Sequence, residues 1–312
     1  MPIQLLRTAR LVYPGVGLPV VKARIKYCLR GLLHLRATQA WCKLLEQPLI
    51  AVLPEAHPNI YSKLQRPYLH IGLSTNGKLA VLQQHFGFLT RKLSRSAIAS
   101  TYADNGFTLA EFALEEVGCF ELRLLYTDKF EKEGDLSIGL FDCSSGVVMF
   151  SLTFSITSDT AHSRELFIGG LQGNKLFGER ERIIAITRSL HGLRPKALLV
   201  FALRQVALDW EVNRIRAVSN GMHIYRHWTY ANRRKRKSVV ADYDAFWGEC
   251  DGVPDVDGMF SLPVVATRRA LSTLKPNKRS QYRQRYEMLE ELAKQIALNL
   301  AQCSIGREVS AA

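Results

Sequence analysis

The stretch from Arg164 to Arg226 constrains the fold of this chain more than any other. It runs strand, glycine turn, helix, glycine turn, helix, strand. Leu166 to Ile168 is a short apolar run followed by Gly169, Gly170 and Gly173, residues that let a backbone reach left-handed angles or approach a ligand closely. Pro195 stands where a helix begins, because a first turn needs no N–H there, and Leu198, Leu199, Phe201, Ala202, Val206 and Ala207 recur behind it at roughly helical spacing. The strand Arg214 to Ser219 closes the stretch, and its long helical crossover predicts parallel or mixed pairing. The start of the second helix also predicts an anion site, since Arg194 and Lys196 flank free N–H groups with His191 and Gly192 one turn earlier. The plainer alternative is that Gly192 and Pro195 break and restart a helix among solvated charges.

Upstream of this stretch the period is helical. Lys22 to Glu46 carries Ile25, Leu29, Leu32, Leu33, Trp41, Leu44 and Leu45 with basic residues between them, as an amphipathic helix or a pair broken at Gly31 requires. Pro48, Pro54, Pro58 and Pro67 confine the next segment to a short helix between loops, and Asn76 opens another helix through Leu89. Near Gly118 the period changes to two. CFELRLLYTD, DLSIGLFD and VVMFSLTFSIT read as strands, the last two joined by the turn CSSG, in an antiparallel meander that reaches Leu166. Lys275 to Leu300 reads as a terminal helix with Lys278, Arg279, Arg283 and Arg285 in its first half and an apolar stripe of Leu289, Leu292, Ile296 and Leu300. The predicted fold class is α+β: a helical N-terminal region, residues 1–115, then a mixed, largely antiparallel sheet with helices over 116–312.

Charge narrows the function classes without choosing one. Lys and Arg number 42 against 28 Asp and Glu, a net charge of +14, which favours phosphate-bearing partners. Arg233, Arg234, Lys235, Arg236 and Lys237 are consecutive and flanked by Tyr225, Trp228, Tyr230 and Tyr243, the composition of a surface for lipid head groups or nucleic acid. Such runs are also commonly solvated loops. With Lys278 and Arg279 they form the candidate surface for an anionic membrane, a protein partner or, on charge alone, nucleic acid. The run Leu11 to Val21 contains Pro14, Gly15, Gly17 and Pro19 and leads into Lys22, Arg24 and Lys26, so it does not read as a secretory signal. No run reaches the ~18 apolar residues of a membrane helix. The expected location is the cytoplasm, with contact to a membrane surface left open. The 6 cysteines lack CxxC spacing and read as reduced thiols, with no metal site predicted.

Seven short motifs in order carry a resemblance: RPYL at Arg66, EGDL at Glu133, IGGLQG at Ile168, LHGLRPKALLV at Leu190, AVSNGMHIYR at Ala217, DYDAFW at Asp242 and KRSQYRQRY at Lys278. Over nearly its whole length the sequence resembles the bacterial VirK/YbjX family. The resemblance implies a protein of Gram-negative bacteria, cytoplasmic or peripheral to the inner membrane, associated with virulence, surface-protein display and tolerance of cationic antimicrobial peptides. It implies no catalytic residues. The order of meander, glycine turn, helix and a strand ending near Tyr225 is also similar to the acetyl-CoA-dependent N-acyltransferase fold. There the phosphate-binding signature sits directly between strand and helix, whereas here a long insert separates GGLQG from HGLRPK.

That second resemblance implies acyl-CoA as cofactor, with Gly170, Gln172, Gly173, Gly192, Arg194 and Lys196 as its candidate binding residues. Acyl transfer needs a base for the acceptor and an acid for the leaving thiolate. Glu133, His191 and His223 are the candidate bases and Tyr225 the candidate acid, although His223 and Tyr225 also suit plain packing at a strand end. His191, His223 and His227 lack the helical i, i+4 spacing of a metal pair, and no G-x-S-x-G elbow occurs. Three readings stand: an envelope-homeostasis factor that binds an anionic membrane or, as the family resemblance implies, an envelope-biogenesis protein; an acyltransferase-like enzyme; and a non-specific nucleic-acid binder.

Overall fold

The computed structural model describes residues 2–103, 105–160, 163–174, 180–230 and 242–305. Six helices come first: α1 (Pro2–Val12), α2 (Leu18–Leu33), α3 (Leu35–Leu45), α4 (Val52–Ala56), α5 (Thr75–Lys92) and α6 (Arg95–Ala103), with a 3-10 segment over Pro58–Gln65. The expected break in the long amphipathic segment falls at His34, not Gly31. Gly31 stays helical because α1 packs against it: a Cβ there would meet Leu5 Cδ2 at 2.6 Å. Helix α5 is capped by Ser74, whose hydroxyl accepts from the Gly77 N–H, so the start signal is the serine and not Asn76.

The sheet has eight strands: β1 (Phe107–Leu114), β2 (Gly118–Leu125), β3 (Leu136–Asp142), β4 (Val147–Thr160), β5 (Ser163–Gly173), β6 (Arg214–Ala217), β7 (Val253–Pro254) and β8 (Phe260–Leu262). Their order is β1-β2-β3-β4-β5-β6-β8-β7. Every pairing is antiparallel except β5 with β6. That parallel pair is joined by α7 (Arg180–Ser189) and α8 (Pro195–Asp209), the crossover its direction demands. The fold class is therefore the expected one. One expectation is corrected: Gly169, Gly170 and Gly173 lie within β5 and form no turn. After β6 come α9 (Tyr243–Glu249) and α10 (Pro276–Gln302).

One apolar core runs from Ala37 to Leu300, while α1 and α2 enclose a small cluster of their own around Leu5, Ala9, Val12 and Tyr27. The two faces of the sheet differ. Leu140, Leu152, Phe154, Ile168 and Leu171 lie on the apolar face. On the other face the cross-strand rows are small and polar, Ser137–Thr153–Gly170 and then Gly139–Ser151–Gln172. Such a face admits a backbone segment lying directly on the strands.

Candidate active site

That segment is Glu133–Gly134–Asp135. A Cβ on Gly134 would meet the Phe154 carbonyl oxygen at 2.5 Å, one on Gly169 the Glu133 carbonyl oxygen at 1.9 Å, and one on Gly170 Glu133 Oε2 at 2.0 Å. The glycines of IGGLQG thus accommodate Glu133, which explains why they sit in a strand. The RPYL motif locks the segment in place at two points. The Leu69 N–H donates to the Lys132 carbonyl at 2.7 Å with Leu69 itself at φ 64, and Arg66 pairs with Glu131 at 2.6 Å.

Asp135 anchors the far end. Its carboxylate is fully buried, pairs with Lys63 and accepts from Tyr68 Oη and from Ser155 Oγ, the latter at 2.8 Å. Burial, the largest influence, would raise this carboxyl; the Lys63 ammonium, His85 and the hydrogen bonds from Lys63 and Tyr68 together outweigh it and hold the group below the ordinary carboxylate value. Behind it, His85 Nδ1 accepts from the Ile156 N–H at 3.1 Å and Nε2 donates to Tyr102 Oη at 2.9 Å. This network is satisfied, and its role is to hold the segment.

Glu133 is different. Gln172 Nε2 donates to its Oε1 at 2.5 Å, but Oε2 has no partner among the described residues. Burial pushes the carboxyl up from 4.5 to about 8, with Gln172 and Lys132 recovering only part of the shift. The group is therefore protonated at neutral pH, with its proton on Oε2 because Oε1 accepts from Gln172. A carboxyl held in its acid form at pH 7 can donate a proton there, and it acts as a base only through its ionised fraction.

Opposite it stands His223, with Nε2 3.9 Å from Glu133 Oε1. Its ring stacks on Tyr243 at 5.1 Å and lies 5.3 Å from the Tyr225 ring. Burial, then the charge of Arg226, lower this imidazole to about 4, so it is neutral. His223 Nδ1 accepts from the Tyr225 N–H at 3.4 Å, which assigns the ring proton to Nε2. Nε2 likewise has no partner among the described residues. At 3.9 Å and with neither group charged, the two make no ion pair. They are two buried donors, each of which costs about 1–3 kcal/mol while unsatisfied.

The motif DYDAFW supports this pair. Tyr243 Oη accepts from the Leu171 N–H at 3.2 Å, and Trp247 Nε1 donates to the Val218 carbonyl at 2.8 Å. These bonds fasten α9 across the diverging ends of β5 and β6. Asp242 caps α9 and accepts from Asn220 Nδ2 at 2.8 Å, while Asp244 accepts from the Asn220 N–H at 2.7 Å. Five of the seven motifs therefore meet around one carboxyl.

The sequence-predicted residues divide into two groups. Glu133, Gly170, Gln172, His223 and Tyr225 come together as described. His191, Gly192 and Arg194 lie between α7 and α8 and Lys196 in the first turn of α8, on the far side of the sheet from Gly170. There Phe150, Ile183, Ile184 and Pro195 wall an apolar cleft of about 580 Å³ with Arg188, Arg194 and Lys196 around it. Arg194 is occupied by an ion pair with Glu249 and lies 5.8 Å from the Phe246 ring centre. Gly173, at the end of β5, faces Phe150, so it belongs to this side. His191 is held in place through its carbonyl, which accepts from Arg285 Nη2 at 2.7 Å, and Gly192 lines a basic cavity of about 360 Å³ with Arg269, Lys275, Lys278 and Arg285. Arg279 instead donates to the Leu274 carbonyl at 3.1 Å. The tract Arg233 to Lys237 lies outside the described residues. Sequence reading missed Lys63, Asp135 and Tyr68, and also Cys119 and Cys143, whose sulfurs are 2.9 Å apart beside Glu111.

Comparison with known proteins agrees with the motif reading. A family model described as "Protein of unknown function (DUF535)" matches residues 18–298. The uncharacterized protein YbjX of Escherichia coli is 35% identical over 88% of this chain and 82% of its own length. An uncharacterized protein of Haemophilus influenzae is 29% identical over 58% of each chain. A "Membrane protein LapB" of Mannheimia haemolytica is 26% identical over 63% of this chain and 83% of its own. Two mutant forms of a cAMP-binding acyltransferase from Mycobacterium smegmatis align over 72% of this chain with TM-scores of 0.31 and 0.29 at 10% and 12% identity, too low to bear on activity.

Proposed function

The chain belongs to this DUF535 family, which includes the YbjX-like proteins of uncharacterised function, and from that premise we propose that it is an acyl-transfer enzyme serving the bacterial cell envelope. The observation that carries the reading is the Glu133–His223 pair: a protonated carboxyl and a neutral imidazole, fully buried, facing each other with donors that have no partner among the described residues. Packing alone disfavours such an arrangement, and perturbed groups of this kind concentrate at functional sites. Two neutral donors suit an acceptor that gains negative charge during reaction, as the carbonyl oxygen of a thioester does when a nucleophile attacks it. The acceptor's heteroatom bonds to the acyl carbon, the carbon–sulfur bond breaks, and the proton lost by the acceptor ends on the thiol. Glu133 and His223 would hold the oxygen throughout. Both are closed to solvent, so the reading requires the site to open before a substrate reaches them.

The envelope assignment rests on the family resemblance and on the name of one relative, a membrane protein. In this reading the chain contributes to surface-protein display or to tolerance of cationic antimicrobial peptides. The apolar cleft beside Arg188, Arg194 and Lys196 has a lining that suits the acyl chain and phosphates of an acyl-CoA, but it lies on the far side of the sheet from Glu133 and is separate from the proposed centre.

The test is mass-spectrometric detection of free CoA released from a panel of acyl-CoA thioesters, with water or an added amine as acceptor. Wild type should release CoA, and the rate should fall as pH rises through about 8, where Glu133 ionises. Glu133→Gln keeps a donor and should abolish that fall, while Glu133→Ala should lower the rate about 100-fold or more, as removal of an oxyanion donor does. No release by wild type from any donor, together with no thermal stabilisation by millimolar acyl-CoA, would refute the reading.

A further inference from the structure

Helices α1 and α2 leave an apolar face uncovered. Leu18, Val21, Ile25, Leu29, Leu32 and Leu33 are 46–79% exposed and fall on one stripe of α2, opposite its buried residues Tyr27 and Gly31. Ile3 on α1 and Val16, 94% exposed in the connecting loop, add to the exposed apolar surface. Single exposed leucines are ordinary, but a continuous stripe along a helix marks an interaction surface.

The charge around the stripe has one sign. Residues 1–45 contain 8 Lys and Arg and no Asp or Glu. Lys22, Lys26 and Arg30 run down one flank of the stripe at i, i+4 spacing, while Arg7 and Arg10 lie exposed on α1. Arg24 points inward, donating to the Tyr13 and Gly15 carbonyls.

We propose that the α1–α2 pair docks on an anionic lipid bilayer, with the stripe of α2 lying in the interfacial plane and the flanking cations among the head groups. A second copy of this chain is a poor occupant, because a two-fold contact through this face would oppose like charges across it. Spanning is not an option either. At 16 residues α2 is shorter than the ~20 a span requires, and no helix among the described residues is long and apolar enough to cross a membrane. The surface lies on a satellite cluster apart from Glu133, so it stands whether or not the acyl-transfer reading does.

The test is co-sedimentation of the full chain, without any acyl donor, with vesicles of phosphatidylcholine alone or mixed with phosphatidylglycerol. Binding should require phosphatidylglycerol and weaken as salt rises. Ile25→Gln/Leu29→Gln should weaken it at least about tenfold, and Lys22→Gln/Lys26→Gln about tenfold with a shallower salt dependence. All four positions face solvent or are half-buried at the surface, so thermal midpoints should not change and serve as the folding control. Three results would overturn the proposal: no preference for anionic vesicles, stripe variants that bind like wild type, or a wild-type dimer that the stripe variant converts to monomer without any vesicle binding.

Discussion

Gly170→Ala tests the geometry of the site through a single methyl group. Its three nearest neighbours would all be side-chain atoms of Glu133: Oε2 at 2.0 Å, Cδ at 2.6 Å and Cγ at 3.2 Å. The carboxyl must leave its place and give up the Gln172 hydrogen bond. Overpacking costs about 1–3 kcal/mol and the lost bond about 1 kcal/mol, so a destabilisation of about 2–4 kcal/mol is expected. Glu133→Ala removes the atoms that are struck. The Gly170→Ala/Glu133→Ala protein should therefore be more stable than additivity predicts, by about 2–3 kcal/mol. Gly169→Ala is the control, because its methyl meets the Glu133 backbone carbonyl at 1.9 Å, which no side-chain truncation moves. Urea unfolding of the wild type, the three single variants and the two double variants at pH 7 reads all of these terms. Additivity at Gly170, or rescue of Gly169→Ala by Glu133→Ala, would refute the placement of Glu133 on β5.

Glu133→Gln should change the pH dependence of stability. The folded carboxyl titrates near 8 against 4.5 when unfolded, so its contribution is fully present below 4.5 and is lost as pH rises toward 8. By pH 7 the loss is on the order of 3 kcal/mol. The variant should therefore gain on wild type from pH 5 to pH 8 in urea titrations, and a flat difference would contradict a buried protonated group. Lys63→Met leaves Asp135 buried and unpaired and should cost about 3–5 kcal/mol, with Lys63→Met/Asp135→Asn recovering much of it in the same assay. Cys119 and Cys143, with sulfurs 2.9 Å apart, should cross-link first under mild oxidation, as peptide mapping by mass spectrometry reads; mixed pairing with Cys28 or Cys303 would contradict that proximity.

Much of the architecture was legible because it rests on local periodicity. The meander from β2 to β5, the crossover behind Pro195 and the C-terminal helix all follow from runs of period two or 3.6. Strands β1, β7 and β8 were not legible. β1 lies in FTLAEFAL, whose pattern suits a helix as well as an edge strand, and β7 and β8 have two and three residues. Glu133, Gln172 and His223 were found as residue types near glycines and a strand end. Their burial was not, and with it the shifts in protonation that burial causes, because burial is a tertiary property. In sequence the glycines of IGGLQG suit a ligand turn, because close approach of another backbone leaves the same mark. Asp135 and Lys63 are 72 positions apart, and nothing local announces that pairing. The exposed stripe of α2 has the periodicity of a core face, so only the structure reveals that it is uncovered.

The most direct test of the account is the titration of Glu133 itself. The side-chain carboxyl carbon of glutamate, labelled with carbon-13 and assigned by its loss in Glu133→Gln, can be followed by NMR from pH 4 to pH 10. A midpoint near 8, with His223 remaining neutral down to about pH 4, is what the buried donor pair predicts. A midpoint between 4 and 5 would mean that Glu133 is an ordinary carboxylate at neutral pH, and the proposed role of the pair in acyl transfer would go with it.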